Sequence, residues 1–339
     1  MSTQFRMTDG PLLDAQGQLI EKGYQTRLSR VYDRSAIRAG ALRIKEWDYY
    51  CVTSGSKVLA LTIADNGYMG LISASVLDFE KPWEQTTSVM TAFPMGKYKL
   101  PETSVAGVTS YTDSRVNMRF GTANGVRHIS CVFHKFLRDE TLEAELTLTD
   151  EPRHSMVIAT PFEKPKAFYY NQKINCMRAN GFMRLGGKTY DFSKEDSFAT
   201  LDWGRGVWTY DNTWYWGNGN GTVNGHRVGF NIGYGFGDTS AASENMIIYD
   251  GMAHKLSKVN FNIPADSYTK PWTFTSDDGR FEMDFVPVID RAARTNALII
   301  ESDQHQVFGR FTGKMVLDGG DVIELKDFMG FAEKVHNRY

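Results

Sequence analysis

Short runs in which apolar and polar residues alternate recur along almost the whole chain, and they restrict its fold more than any other feature. Successive side chains of a strand point to opposite faces, so a period of two is typical of half-buried strands. The clearest runs are rich in β-branched and aromatic residues: KVLALTIA (57–64), HISCVF (128–133), AELTLT (144–149), SMVIAT (155–160), NMIIY (245–249), FEMDFVPV (281–288) and NALIIES (296–302). We therefore predict an all-β fold.

Turn dipeptides separate these runs at short intervals. Asn-Gly and Asp-Gly pairs readily adopt the two positive φ angles of a type I′ turn, which joins antiparallel strands through two residues. Such pairs or Gly-Gly occur at 66–67, 124–125, 180–181, 186–187, 224–225, 250–251, 278–279 and 319–320. This spacing predicts antiparallel hairpins. The few helical candidates are DRSAIRAG (33–40) and SKEDSFATLD (193–202).

The glycine-rich stretch WYWGNGNGTVNGHRVGFNIGYGFG (214–237) specifies its own strand register. A type I′ turn at Asn224-Gly225 places Gly219 opposite Phe230, and it places Trp216 opposite a glycine as well. Small residues facing large ones let a side chain lie across the neighbouring backbone, which offsets the instability of glycine in a strand. We therefore predict a hairpin here, with a second hairpin around Asp250-Gly251.

The same register gives the first hairpin two unlike faces. One face is apolar and typical of a core: Tyr215, Val228, Phe230, Ile232 and Tyr234. The other, which we call the tryptophan face, combines aromatic rings with amides: Trp214, Trp216, Asn218, Asn220, Asn231 and Arg227. This composition suits a cavity for a flat or apolar ligand with one polar group. The alternative is an outer surface that faces solvent.

The composition limits the class of partner. Lys and Arg (38) nearly balance Asp and Glu (40), so no overall field attracts nucleic acid or an anionic membrane. No apolar segment approaches the roughly 18 residues of a spanning helix, and a secretory signal is absent from the N-terminus, so we expect a cytoplasmic protein. Metal-binding and phosphate-loop patterns are also absent. We predict a small apolar or aromatic ligand, no cofactor, and a monomer or homodimer.

Two stretches about half the chain apart have a similar layout. Residues 54–83 and 224–251 each run from a strand through a Gly-aromatic turn to a Ser-Ala-rich strand and an acidic turn. The similarity favours a duplicated β-domain. We predict a wrapping segment over residues 1–39, a first β-barrel-like domain over 40–170 and a second over 171–339.

The motif DWGRG contains the first candidates for chemistry. Asp202 and Arg205 lie three residues apart beside Trp203 and Trp208. A buried carboxylate–guanidinium pair would orient a substrate carbonyl; alternatively, the pair braces a turn. In the first case, Asp202 is a candidate catalytic residue and the other three contribute to ligand binding.

A second set of candidates surrounds the turn at Asp250-Gly251. Glu244 shares a strand face with apolar residues, which disfavours its ionised form and suits a general acid. Pairing with Lys255 is the structural alternative. His226 and His254 are candidate bases or proton carriers, or else structural histidines. With Asn245 as a ligand-binding residue, this set forms an acid–base constellation next to the tryptophan face.

Several stretches resemble the mainly bacterial family catalogued as domain of unknown function 2804: RIKEWDYY (43–50), LDWGRGVW (201–208), WYWGNGNG (214–221), SENMIIYDGMAHKL (243–256) and LKDFMGFAEKVHNRY (325–339). The likeness covers nearly the whole chain. More remotely, the layout resembles the lipocalin-like group of carotenoid hydratases, tocopherol cyclase-like proteins and pericyclases. That resemblance implies two lipocalin-like (calycin) barrels or curved sheets in tandem, which bind apolar molecules and in some members catalyse hydration or cyclisation.

These observations together favour a cofactor-independent acid–base enzyme, a hydratase, dehydratase, isomerase or cyclase, acting on a small apolar or aromatic molecule. One alternative is a non-catalytic carrier of a hydrophobic ligand, whose ionisable residues would all be paired. Another is a carbohydrate-active protein, in which Asp202 and Glu244 would supply two carboxylates in an open cleft.

Overall fold

A computed structural model of the protein describes residues 4–297 and 300–338. Residues 298 and 299, which belong to the predicted strand NALIIES, lie outside the described residues. The regular secondary structure of the described chain is almost entirely strand, which confirms the all-β prediction. The strands are β1 (Gly10–Pro11), β2 (Gly23–Gln25), β3 (Arg30–Val31), β4 (Ile44–Ser54), β5 (Lys57–Asp65), β6 (Met69–Asp78), β7 (Trp83–Ala92), β8 (Gly107–Thr112), β9 (Val116–Ala123), β10 (Val126–Leu137), β11 (Glu140–Thr149), β12 (Met156–Pro161), β13 (Phe168–Leu185), β14 (Lys188–Phe192), β15 (Ser197–Val207), β16 (Asp211–Val223), β17 (His226–Tyr234), β18 (Met246–Tyr249), β19 (Met252–Lys255), β20 (Val259–Asn262), β21 (Trp272–Ser276), β22 (Phe281–Ala297), β23 (Ile300–Val316) and β24 (Val322–Arg338).

Helical structure is limited to two short 3-10 helices in the described residues, Arg34–Ala36 and Ala41–Arg43. The first falls within DRSAIRAG, and the Asp33 side chain caps it by accepting a hydrogen bond from the Ser35 backbone N–H. The second helical candidate, SKEDSFATLD, is wrong, and its residues 194–196 form a turn. Its residues from Ser197 onward belong to β15, because burial between two neighbouring strands outweighs a weak local helix signal. No helix among the described residues is long and apolar enough to cross a bilayer.

The first sheet is built from residues before position 208. Its main path follows the order β7-β6-β5-β4-β15-β13-β11-β10-β9-β8, while β12 and β14 pair with β13, and β2 pairs with β12. Neighbouring strands along the path are antiparallel. The sheet curls around its own apolar core, which includes Leu59, Phe120 and Trp203.

The second sheet contains nine strands in the order β19-β18-β17-β16-β24-β23-β22-β21-β20. It curls around a separate core that includes Phe230, Trp272 and Phe311. The apolar face predicted for the hairpin β16–β17 lies in this core, with Val228, Phe230 and Ile232 fully buried. The molecule therefore consists of two curled antiparallel half-barrels in tandem.

The main paths of the two sheets share one topology apart from one additional strand at the centre of the first. In each sheet, four consecutive strands run from the centre to one edge, β4 to β7 in the first and β16 to β19 in the second. The chain then crosses to the opposite edge, and the following strands, which begin with β8 and β20, run back toward the centre. Strand β4 is thus equivalent to β16, and β13 is equivalent to β24. Strand β15 has no equivalent, because it separates β4 from β13 whereas β16 and β24 pair directly. The similar stretches 54–83 and 224–251 occupy equivalent positions, and their origin by duplication stays a prediction.

The chain passes from the first sheet to the second between Val207 and Asp211. The predicted domain boundary between residues 170 and 171 instead falls inside β13, which continues to Leu185 in the first sheet. Alternation in the sequence identifies these strands but carries no information about which sheet they join. The N-terminal segment contacts both sheets, through the pairing of β2 with β12 and a hydrogen bond from the Phe5 N–H to the Ala241 carbonyl.

The predicted hairpin registers are confirmed. Asn224 and Gly225 have φ angles of 51° and 84°, and β16 pairs with β17 so that Gly219 faces Phe230. A Cβ added at Gly219 would lie 2.8 Å from the Phe230 ring, so the ring occupies the space over the glycine. The turn at Asp250-Gly251 likewise pairs β18 with β19 in the predicted register.

Replacing Gly219 by valine is therefore expected to lower the free energy of unfolding by about 1–3 kcal/mol, because the new side chain overpacks the Phe230 ring. Urea unfolding followed by circular dichroism measures this change. Gly40→Val is the matched control, since Gly40 has an extended backbone with φ −62° and open space around a Cβ. Equal losses in the two variants would contradict this account of the hairpin.

Candidate functional site

The tryptophan face of β16 and β17 packs against the first sheet and does not face water. The Trp216 ring contacts Tyr49 of β4 edge to face, with ring centres 6.0 Å apart, and it also packs on Phe331 of β24. Only 6% of Trp216 is exposed. The alternative of a solvent-facing surface is therefore wrong, and the space between the sheets is where a site has to be sought.

Four charged side chains from both half-barrels are buried in this space: Lys173, Asp202, Glu244 and Glu333. We call them the buried charge cluster. Lys173 Nζ lies 3.1 Å from Asp202 Oδ1 and 4.2 Å from the centre of the Trp216 ring. It also donates a hydrogen bond of 3.3 Å to the Tyr169 hydroxyl. Lys173 thus links the first sheet to the tryptophan face of the second.

Asp202 does not pair with Arg205, contrary to the predicted buried pair. Residues three apart in a strand point to opposite faces. Asp202 faces the second sheet and accepts a hydrogen bond of 2.6 Å from Asn171 Nδ2 of the neighbouring strand β13. Arg205 points into the first half-barrel, pairs with Asp48 at 3.1 Å and lies over the Trp203 ring. Arg205 and Trp203 therefore belong to the first core rather than to the space between the sheets.

Glu333 is a carboxyl of the cluster whose pKa is strongly raised. Trp214 Nε1 donates to Oε1 over 3.0 Å, and Gln306 Nε2 donates to Oε2 over 2.8 Å. Both hydrogen bonds favour the carboxylate, yet burial outweighs them and raises the pKa of Glu333 to about 7. A carboxyl group with this pKa exchanges a proton readily at neutral pH, as a general acid or base requires.

Glu244 is buried directly before β18, as its apolar strand face predicted. Burial raises the pKa of Glu244; the charge of Asp202 adds to this shift, while Lys173 opposes it. Asn231 connects Glu244 to the tryptophan face, since its Nδ2 donates to the Glu244 carbonyl and its Oδ1 accepts from Trp216 Nε1. Glu244 is therefore the second carboxyl of the site with a disfavoured charge.

The segment before β18, which contains Glu244, is fixed by hydrogen bonds of the neighbouring side chains Asn245 and Lys255. Asn245 Oδ1 accepts from the Gly233 N–H over 2.6 Å and thereby extends the sheet. Lys255 Nζ donates to Ser243 Oγ and to the Asn245 carbonyl. Burial lowers the pKa of Lys255 to about 7. The structure thus places Asn245 and Lys255 where they position Glu244.

Tyr169 lies among the carboxyl groups. Burial raises its pKa well above the ordinary value, and Glu244, Asp202 and Glu333 add to this effect in that order. The phenol therefore stays neutral and is able to donate a hydrogen bond. Its ring is stacked on Trp47, with centres 6.0 Å apart.

Aromatic rings line one side of the cluster. Phe236 lies at their centre, with its ring 4.7 Å from those of Tyr169 and Trp208 and 5.1 Å from that of Trp214. Trp208 in turn contacts Trp47 edge to face. Such a wall suits an apolar or aromatic molecule.

The two candidate histidines lie outside this site. His226 is half exposed at the start of β17, with Nδ1 2.6 Å from Asp250 Oδ2. The five residues to Asn231 put it about 17 Å along the strand from the cluster. His254 accepts a hydrogen bond from the Asp318 N–H. It pairs with Ile247, which faces the core of the second sheet.

Asn218 is buried in a separate network between the sheets. Its Oδ1 accepts from Thr200 Oγ1 of β15 over 2.8 Å and from Asn220 Nδ2 over 3.2 Å. Asn220 Oδ1 in turn accepts from Asn175 Nδ2 of β13. These contacts hold the two sheets together, so they fix the geometry around the cluster.

Lys173, Tyr169, Gln306 and Glu333 are site residues that sequence reasoning missed. A signal for two of them exists, because each is a single charge whose nearest neighbours at alternate positions are uncharged. Lys173 follows Tyr169 and Asn171 at alternate positions, and Glu333 lies between Phe331 and Val335. The alternation does not say which face meets the other sheet, so the residues could not be combined into one site.

Cysteine and metal chemistry receive no support from the described residues. Cys51, Cys131 and Cys176 are unpaired and buried, and burial raises their pKa values to about 11, 12 and 12. Such thiols are inert packing groups. Within residues 4–297 and 300–338, no three His, Cys, Asp or Glu side chains are grouped so as to hold a metal ion.

Two curled antiparallel half-barrels in tandem give the protein a lipocalin-like fold. The chain matches the family described as domain of unknown function (DUF2804) over residues 4–339, and it belongs to that family, as the resemblance predicted.

Solved structures with related architecture have little sequence in common with this chain. A protein of Nitrosomonas europaea assigned as ATTH is 11% identical, with a TM-score of 0.54 over 91% of this chain and 97% of its own. Kievitone hydratase from Nectria haematococca is 11% identical, with a TM-score of 0.49 over 93% and 97% of the two chains. The first of these similarities shows the shared fold. No curated protein matches the chain significantly by sequence.

Proposed function

We propose that the protein is an enzyme that performs acid–base chemistry on a small apolar or aromatic molecule at the buried charge cluster. The reaction class is hydration, dehydration, isomerisation or cyclisation, in which protons and water are the only other reactants. One observation carries the proposal: the Glu333 carboxyl is buried beside tryptophans and has a pKa of about 7.

The residues around Glu333 have complementary roles in this proposal. Glu333 transfers the proton to or from the substrate, and the N–H groups of Trp214 and Gln306 hold its two oxygens in place. The Lys173 ammonium, held by Asp202, stabilises negative charge that develops on a substrate oxygen. Glu244 supplies a second carboxyl with a raised pKa. The aromatic wall binds the body of the substrate.

A carrier function has one observation in its favour. The charged groups of the cluster already have partners in the protein: Asp202 is paired with Lys173 and Asn171, and Glu333 accepts from Trp214 and Gln306. A carrier would use such a paired, apolar space to hold its ligand unchanged. The carbohydrate-active alternative has less support, because its two carboxylates are buried between the sheets and do not line an open cleft.

Native mass spectrometry of protein purified from its own host distinguishes turnover from carriage. We expect Glu333→Gln to retain substrate, because it binds the ligand but transfers no proton, whereas the wild-type protein retains product or no ligand. A mass difference of one water between the two ligands indicates hydration or dehydration, and an isomer of equal mass indicates isomerisation or cyclisation.

Glu143→Gln is the matched control for this measurement. Glu143 lies on β11 at the surface, in an exposed ion pair with Arg184. It should behave like the wild-type protein. Recovery of one identical ligand from all three proteins would contradict the enzyme proposal and favour the carrier.

A further inference from the structure

A cleft on the protein surface has Phe162 in its wall, and the Phe162 ring contacts Phe236 of the candidate site. Its volume is about 170 Å³, and it lies between residues 18–22 and residues 161–168. Its walls combine apolar side chains with lysines, notably Leu19, Ile20, Phe162, Lys22, Lys164 and Lys166. The cleft thus combines an apolar lining with positive charge.

Two aromatic rings in series separate this cleft from the buried charge cluster. The Phe162 ring, on the cleft wall, lies 5.1 Å from the Phe236 ring. Phe236 lies 4.7 Å from the ring of Tyr169, whose hydroxyl accepts a hydrogen bond from Lys173. Phe236 therefore stands between the cleft wall at Phe162 and Tyr169 at the edge of the buried charge cluster, and a ligand has to displace its ring to pass.

The backbone around Phe236 is suited to such a displacement. Gly235 and Gly237 flank the residue, with φ angles of 92° and 75° in the region that favours glycine. The turn lies in the connection between β17 and β18, where Thr160 Oγ1 donates to the Phe236 carbonyl and the Asp238 N–H donates to the Pro161 carbonyl. Glycines on both sides allow the ring to swing without strain at a Cβ, as in the hinges of other active-site loops.

The charges along the route indicate the chemistry of the ligand. Lys22 is paired with Asp238 at 3.0 Å, but Lys164 and Lys166 form no ion pair with any residue that the structure describes. Exposed ammonium groups at the mouth attract an anion. The buried charge cluster beyond Phe236 contains three carboxyl groups and one lysine. The anionic end of a ligand is therefore favoured at the mouth of the cleft, beside Lys164 and Lys166, and its uncharged body is favoured inside.

We propose that this cleft is the entrance to the buried charge cluster, that Phe236 is its gate, and that the ligand is an apolar or aromatic molecule with an anionic group at one end. The assignment deepens the proposed function and rests on it for what happens to the ligand inside. Entry itself is tested without turnover.

The gate is tested by stopped-flow binding of two fluorescent probes, anionic 8-anilinonaphthalene-1-sulfonate and uncharged N-phenyl-1-naphthylamine. Phe236→Ala and Phe236→Leu should raise the association rate of both probes, the alanine variant by about tenfold or more. Phe93→Ala is the control, because it removes an exposed phenyl group outside the cleft. Unchanged rates in folded Phe236 variants, judged by circular dichroism, would overturn the gate.

The mouth is tested with charge reversal at Lys164 and Lys166. The variant K164E/K166E should weaken binding of the anionic probe by about threefold to tenfold and leave the uncharged probe unaffected. The control K81E/K97E makes the same charge change at exposed lysines away from the cleft. Equal loss for both probes, or equal loss in both double variants, would overturn the assignment of an anionic ligand.

The entrance and the enzyme proposal fail in different measurements. The entrance is measured by the association rates of the probes, whereas the enzyme proposal is measured by the ligand that Glu333→Gln retains, so the two readouts are independent. If Phe236→Ala leaves probe rates unchanged while Glu333→Gln still retains substrate, the entrance is overturned and the enzyme proposal stands. If probe rates respond but all variants retain one unchanged ligand, the entrance stands and the enzyme proposal fails.

Discussion

Replacing Lys173 by methionine is expected to lower the free energy of unfolding by about 3–5 kcal/mol at neutral pH. Methionine fills a similar volume but removes the ammonium group that lies 3.1 Å from Asp202 and over the Trp216 ring. The Asp202 carboxylate is then left buried, with Asn171 as its remaining side-chain donor. Urea unfolding of the variant and the wild-type protein measures the loss.

A double variant separates the lost charge pair from lost packing. In K173M/D202N neither partner is charged, so most of the stability lost in K173M should return. The exposed pair of Lys194 and Asp150 provides a control, because K194M should change stability by less than about 1 kcal/mol. If the double variant were as unstable as K173M, the uncompensated charge would not be the cause.

Glu333→Gln is expected to stabilise the protein above neutral pH, by up to about 3 kcal/mol. Folding raises the pKa of Glu333 from an ordinary 4.5 to about 7, so the folded state favours the protonated carboxyl. Below pH 4.5 the Glu333 carboxyl is protonated in both the folded and the unfolded state, so its ionisation does not lower the free energy of unfolding. As the pH rises to 7 the cost of keeping the carboxyl buried grows, and above 7 it is constant. Glutamine avoids this cost.

The measurement is the difference in unfolding free energy between Glu333→Gln and the wild-type protein from pH 4 to pH 8. Burial also lowers the pKa values of Lys45 and Lys255 to about 7, which makes stability rise with pH above 7 in both proteins. Because both proteins contain these lysines, their contribution to the unfolding free energy cancels in the difference. A difference that does not grow between pH 4.5 and 7 would contradict the raised pKa and remove the main support for the proposed function.

Local features of the fold could be predicted from the sequence because short-range chemistry determines them. The turns at Asn224-Gly225 and Asp250-Gly251 fix strand pairing over two hairpins, and the structure has both registers as predicted. The burial of Glu244 followed from the same alternation, since its neighbours on that strand face are apolar. Each of these inferences required only residues close together in the chain.

The composition of the site could not be predicted, because it depends on contacts between distant strands. Lys173 and Glu333 come from β13 and β24, and nothing in either strand shows that these two faces meet. The position of β15 between β4 and β13 likewise leaves no local trace, so the boundary that the sequence predicts lies inside β13. The sequence predicts one acid–base site for His226 and Glu244 because the two residues belong to neighbouring hairpins. In the structure, the length of β17 separates His226 from the buried charge cluster.

The equivalence of β13 and β24 has a further consequence. If two identical half-barrels assembled around a twofold axis, each side chain near the axis would face its own copy, and like charges would meet. Because both half-barrels lie on one chain, the equivalent strands are free to differ, and they carry Lys173 and Glu333. The two side chains lie close enough that the positive charge of Lys173 lowers the pKa of Glu333 and so opposes the effect of burial. Covalent linkage of the halves thus permits a site with an acid on one side and a cation on the other.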